Sequence, residues 1–160
     1  MASFLPLTQE QLKQFPKEFS LFLASLGIDR PQWEKIKVDD SSRLQEIIEA
    51  FSAVVWTEIL NQTHYLELFM ADALALYFCD QEEIRLIFVR APELEWESPK
   101  ILDAIIQAIE KPTTDIRVGK KIYGDSRTQE LYSLLQKGAV VTDGNLYRVL
   151  KTLLESKSAS

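Results

Sequence analysis

The hydrophobic period of this chain switches from helical to alternating near its middle, and few folds accommodate such a switch. Leu44, Ile47, Ile48, Phe51, Val54, Val55 and Ile59 keep helical spacing for about four turns. From Ala73 the period is two. Leu74, Leu76 and Phe78 alternate with Ala73, Ala75 and Tyr77, and beyond Asp80-Gln81-Glu82-Glu83 the residues Ile84, Leu86 and Phe88 alternate with Arg85, Ile87 and Val89. A long amphipathic helix followed by two alternating runs around a polar turn predicts helices packed with an antiparallel hairpin over residues 73–90.

Caps and prolines divide the rest. Thr8 and Gln11 form a capping-box pair ahead of Leu12, Phe15, Phe19, Phe22, Leu23 and Leu26, and Gly27 stands where a left-handed cap belongs. Pro16 removes a helical hydrogen bond and clashes with the preceding turn, a cost of ~3 kcal/mol that predicts a kink at Phe15. A second helix is expected from Pro31, capped by Asp29 or Arg30, and Asp39 or Asp40 caps the long one. The stretch from His64 to Ala71 fits a helix end or an extra edge strand. Ala91-Pro92 ends the second strand of the hairpin, and Leu94 and Trp96 alternating with Glu93, Glu95 and Glu97 predict an extended edge segment.

Ser98-Pro99 reads as the start of a helix whose stripe is Ile101, Leu102, Ile105, Ile106 and Ile109, and a short strand is expected from Ile116 to Val118. Asp125 or Ser126 caps a helix that Gly138 ends, and Thr142 or Asp143 caps the last one. The expected fold is α+β: about six helices on a small antiparallel sheet, with a C-terminal helical pair, as one domain over residues 1–155 and a frayed tail over 156–160.

Composition narrows the function classes. The chain has 160 residues, 46% of them hydrophobic and 26% charged, which excludes wholesale disorder. One Cys cannot form an internal disulfide, and one His excludes chemistry that needs two. The longest apolar run, Ala73 to Cys79, is far below the ~20 residues of a spanning helix, and the opening Met1 to Thr8 has no signal-peptide pattern. A cytoplasmic protein without a membrane anchor is the expectation. The net charge of −6 opposes a sequence-blind binder of nucleic acid.

Charge is unevenly placed, however. Residues 113–160 carry eight basic and five acidic side chains, while residues 63–112 carry four and ten. Lys120, Lys121 and Arg127 flank Gly124 just before a helix N-terminus, where free N–H groups favour an anion. The last two helices have helix–turn–helix dimensions, with Asn145, Arg148 and Lys151 on the exposed side of the second. Against both readings stands the plainer one, that charges solvate a surface and paired helices close a core. The acidic edge Glu93, Glu95 and Glu97 with Trp96 fits a docking strip for a basic partner, or an edge guarded by charge. His64 and Cys79 are too few and wrongly spaced for a structural zinc site, and no metal or cofactor is expected.

Three stretches carry a resemblance. They are Leu7-Thr8-Gln9-Glu10-Gln11 with Glu18-Phe19 and Phe22-Leu23; Ala50-Phe51-Ser52 and Val54 to Trp56 with Tyr65-Leu66-Glu67; and Leu134 to Val140 with Asp143-Gly144. Together they resemble a family of short, uncharacterised bacterial proteins classed as a domain of unknown function. The resemblance implies a compact cytosolic domain and no particular activity.

No nucleophile–base pair, metal cluster or Gly-rich cofactor loop is visible. The expected function is therefore non-enzymatic: a module that binds an unknown protein partner, with Glu93, Glu95, Trp96 and Glu97 as the candidate interface. The alternative is a binder of nucleic acid or a phosphorylated ligand through Lys120, Lys121, Arg127, Arg148 and Lys151.

Overall fold

The computed structural model describes residues 4–96, 99–124 and 126–159, with side chains as far as Lys157. Seven helices and five strands among them make an α+β fold, and the chain divides into two compact units, Met1–Asn61 and Gln62–Ser160. Glu97, Ser98, Asp125 and Ser160 lie outside the described residues, so the expectations that named them are not taken further.

The first unit is helical: α1 (Gln9–Leu12), α2 (Pro16–Ser25), α3 (Arg30–Asp39) and α4 (Ser41–Asn61). The expected kink is a full break, because Phe15 becomes the N-cap of α2 and Pro16 its first residue, where a missing N–H costs nothing. That break accounts for the helix beyond the six expected. Both capping boxes form, Thr8 with Gln11 and Asp29 with Gln32, and Asp40 Oδ1 accepts from Arg43 N at 3.1 Å to start α4. Leu7, Phe51 and Val55 form a buried cluster ringed by Phe15, Phe19 and Phe22, and each such side chain contributes about 1.5–3 kcal/mol by leaving water. Buried Ser52 is satisfied, since its Oγ accepts from Leu7 N at 2.7 Å and donates to Ile48 O at 2.6 Å.

The second unit holds β1 (Tyr65–Phe69), β2 (Ala73–Cys79), β3 (Glu83–Arg90), α5 (Ile101–Ala108), β4 (Asp115–Ile122), α6 (Arg127–Gln136), β5 (Val140–Val141) and α7 (Asn145–Ala159). The sheet runs in the order β4-β3-β2-β1-β5, every pair antiparallel. The hairpin lies where alternation placed it. The ambiguous stretch after His64 is β1, an interior strand, and the short strand expected at 116–118 is eight residues long.

Register sorts the side chains onto two faces. Leu74 stands beside Val89 and Ile116, Leu76 beside Ile87 and Val118, and Phe78 beside Arg85 and Lys120. This first face packs on α5 and α7 through Ile105, Tyr147 and Leu150, with Trp96 in the same cluster. Tyr77, Ile84, Leu86, Gly119 and Lys121 belong to the second face, where α6 brings Glu130, Ser133 and Leu134.

Three expectations are corrected here. Residues 91–96 form turns, with Leu94 N donating to Ala91 O at 3.0 Å, so the acidic segment is no edge strand. The C-terminal pair is no helix–turn–helix, because β5 sits between α6 and α7 and the two helices meet opposite faces of the sheet. The tail expected to fray from residue 156 is helical to Ala159, and Lys157 Nζ pairs with Glu110 at 2.6 Å.

Candidate functional site

On the first face, α7 stops short of the outer strand and leaves a cleft of about 760 Å³. Its apolar lining comes from Ile87, Val118, Tyr147 and Leu154, and its charges from Arg85, Lys120, Lys151 and Glu155. Arg85 and Lys120 are directly opposite on neighbouring strands, an arrangement that destabilises like charges. Compensation is partial. Arg85 Nη2 pairs with Glu83 at 3.0 Å, while its Nε is shut off from solvent with no partner among the described residues. Lys151 reaches Glu155 at 3.9 Å, and Lys120 makes no ion pair among the described residues. Three cations thus converge on an apolar floor.

Of the five basic residues singled out by sequence, the cleft gathers only Lys120 and Lys151. Lys121 points to the second face and pairs with Glu130 at 3.3 Å. Arg127 is built into the fold. Its Nε donates to Asp80 O at 3.1 Å, and its Nη2 donates to Cys79 O at 3.1 Å and to Thr63 O at 2.5 Å. Arg148 donates to Asp143 O at 2.6 Å and lies 5.3 Å over the Tyr65 ring.

Before α6, Ser126 Oγ accepts from Gln129 N at 3.1 Å and Glu130 Oε1 accepts from Gly124 N at 2.5 Å, so two of the backbone donors near the expected anion site are engaged by side chains of α6 and its cap. Trp96 is only 8% exposed and belongs to the sheet core, which removes it as a docking anchor. Glu93 and Glu95 remain exposed, Glu93 accepting from Thr113 Oγ1 at 3.4 Å. Arg85 escaped sequence reasoning because only its apolar neighbours were legible in β3, and its place beside Lys120 follows from a register no single sequence displays.

A sequence model of a family of unknown function, DUF6495, matches residues 2–155. The chain belongs to the DUF6495 family. No curated protein and no solved structure matches it. No helix among the described residues of this DUF6495 chain is long and apolar enough to cross a membrane, and no three His, Cys, Asp or Glu side chains among them stand together to hold a metal ion.

Burial raises the pKa of the Tyr147 phenol in the cleft lining, and three further shifted groups of the DUF6495 chain, Cys79, Tyr123 and Glu67, lie outside the cleft. Burial pushes the Cys79 thiol up to about 12, with Arg127 only partly offsetting it, so the thiolate a nucleophile needs is absent at neutral pH. Burial also pushes the Tyr123 phenol up to about 12, and its hydroxyl donates to Asp80 O at 2.8 Å. Glu67 is a buried carboxylate that sequence did not single out. Desolvation raises its pKa, a hydrogen bond with Thr142 lowers it and the charge of Asp143 raises it again. Glu67 does not line the cleft.

Proposed function

We propose that this protein is a non-enzymatic interaction module whose cleft between α7 and the β3–β4 edge engages an acidic protein partner. The observation that carries this reading is the convergence of Arg85, Lys120 and Lys151 on an apolar floor, two of them forced opposite each other in register. A carboxylate entering the cleft relieves that repulsion, and the apolar lining adds contact area that a solvated counter-ion would not use. The buried, protonated Cys79 and the Glu67 carboxyl, both outside the cleft, favour binding over catalysis.

An acidic protein suits the cleft better than nucleic acid does. Glu155 stands in the lining, and Lys121, Arg127 and Arg148 are engaged elsewhere, so no continuous cationic track follows a phosphate backbone. The test is a titration of a labelled Glu-rich peptide and a single-stranded oligonucleotide against wild type and Lys120→Glu/Lys151→Glu. Saturable peptide binding that the double variant weakens by about tenfold or more is expected. Tighter binding of the oligonucleotide, or peptide binding indifferent to the reversal, refutes the reading.

A further inference from the structure

β4 closes one side of the sheet, and its outer edge has the features of a docking strand. Tyr123 N donates to Glu82 O at 3.4 Å, which sets the phase of the ladder. Hydrogen-bonded pairs alternate in an antiparallel sheet, so Ile84–Lys121, Leu86–Gly119 and Phe88–Arg117 are bonded. Ile116, Val118, Lys120 and Ile122 therefore turn their N–H and C=O groups toward the free edge.

Natural edges are blunted by shortness, proline, a bulge or a covering segment. β4 has eight residues, no proline and an unbroken register from Asp115 to Ile122, with Val118 69% and Ile122 78% exposed. Its one guard is charge: Lys120 makes no ion pair among the described residues, while Arg117 shares its charge with Asp115 at 3.1 Å and Lys121 with Glu130 at 3.3 Å, exposed pairs that an acidic strand competes for. That guard repels a second copy of the same strand and attracts an acidic one.

Building on the acidic-partner reading of the cleft, we infer that the partner binds by strand addition: an extended acidic segment pairs antiparallel with β4 and becomes the sixth strand of the sheet. The register dictates its pattern. Apolar residues face Ile116, Val118 and Ile122, and acidic residues face Arg117, Lys120 and Lys121. An aromatic residue covers Gly119, where a side chain would meet nothing within 4 Å. The residue opposite Lys120 lies on the face of Arg85 and reaches the mouth of the cleft. Read from its N-terminus, the complementary segment is Val-Glu-Glu-Phe-Val-Glu-Val.

The experiment titrates the full chain with that peptide, capped and labelled, and with two N-methylated forms. Methylating the third and fifth residues, opposite Lys120 and Val118, blocks N–H groups that face β4. Methylating the second and fourth, opposite Lys121 and Gly119, blocks groups that face away. Binding that the inward form loses by about tenfold or more, and the outward form keeps, is the expected result. Equal binding of all three peptides overturns strand addition while leaving the acidic-partner reading intact. Failure of all three, together with the Glu-rich peptide, overturns both. Dimerisation of the free chain that the peptide does not compete away assigns β4 to a second copy and overturns the inference as well.

Discussion

Arg127 and Glu67 have opposite relations to their surroundings. The Arg127 guanidinium gathers the carbonyls of Thr63, Cys79 and Asp80, just before β1 begins and where β2 ends, and joins the Tyr123 hydroxyl on the last of them. Arg127→Ala is expected to cost roughly 2–4 kcal/mol in a urea unfolding experiment, since charged donors to carbonyls are lost together. Arg127→Lys recovers only part of it, because an ammonium lacks the planar fork. Full recovery by Lys would mean that charge alone matters there. The Glu67 carboxyl is instead held above its ordinary value of 4.5 by burial. A raised folded-state pKa means that the folded protein binds the proton more tightly than the unfolded chain does. Its contribution to stability is thus complete below the unfolded value and is lost as pH rises through the folded one. Glu67→Gln keeps the neutral form at every pH, so the variant gains on wild type at pH 7 relative to pH 4. Unfolding midpoints at the two pH values that shift in parallel contradict this assignment.

The phase of the β3–β4 ladder can be checked by proline. Val118→Pro removes an N–H that faces the free edge, and is expected to cost about 1 kcal/mol or less. Gly119→Pro removes a ladder donor opposite Leu86 and is expected to cost ~3 kcal/mol or more. Reversed magnitudes in denaturant unfolding would place the outward groups on the odd residues. At the entry to α7, Gly144 has φ +82° and the Tyr65 ring packs directly on it, so Gly144→Ala meets both strain and a clash and should cost roughly 1–3 kcal/mol by the same measurement. These elements differ in how plainly the sequence announced them. α4 and the β2–β3 hairpin were legible because their periods are long and local. β1 was not, since Tyr65 to Phe69 is short and its burial comes from pairing with β2 and β5. The α6–α7 connection read as a turn because Val140 and Val141 are strand only through β1, a partner far away in sequence. Trp96 looked like a surface anchor because acidic neighbours surround it in sequence, whereas its ring packs with Ile105 and Val89 in the sheet core. Lys120 and Lys151 stood out in sequence only as basic residues of the C-terminal third, and the cleft that joins them is a product of register and helix placement.

The whole molecule carries −6, yet the site proposed for an acidic partner is a local concentration of positive charge. Attraction and repulsion then act over different distances. At about 0.01 M salt the Debye length is ~30 Å, so an approaching acidic peptide feels the net negative charge as well as the cleft. Near 0.15 M it is ~8 Å, and mainly the nearest cations are felt. Screening consequently removes a long-range repulsion and a short-range attraction together, and the association rate should change by less than about threefold across this range. The bound complex has no such cancellation. Its carboxylates sit beside Arg85, Lys120 and Lys151, so added salt raises the dissociation rate and weakens the affinity through that rate. Stopped-flow titration of Val-Glu-Glu-Phe-Val-Glu-Val at the two salt concentrations separates the rates. A steep fall in the association rate with salt would mean that attraction outreaches the net charge, as it does for proteins that present an extended cationic surface to nucleic acid. The basic residues of the C-terminal third would then act as one surface, and the cleft would be only part of it.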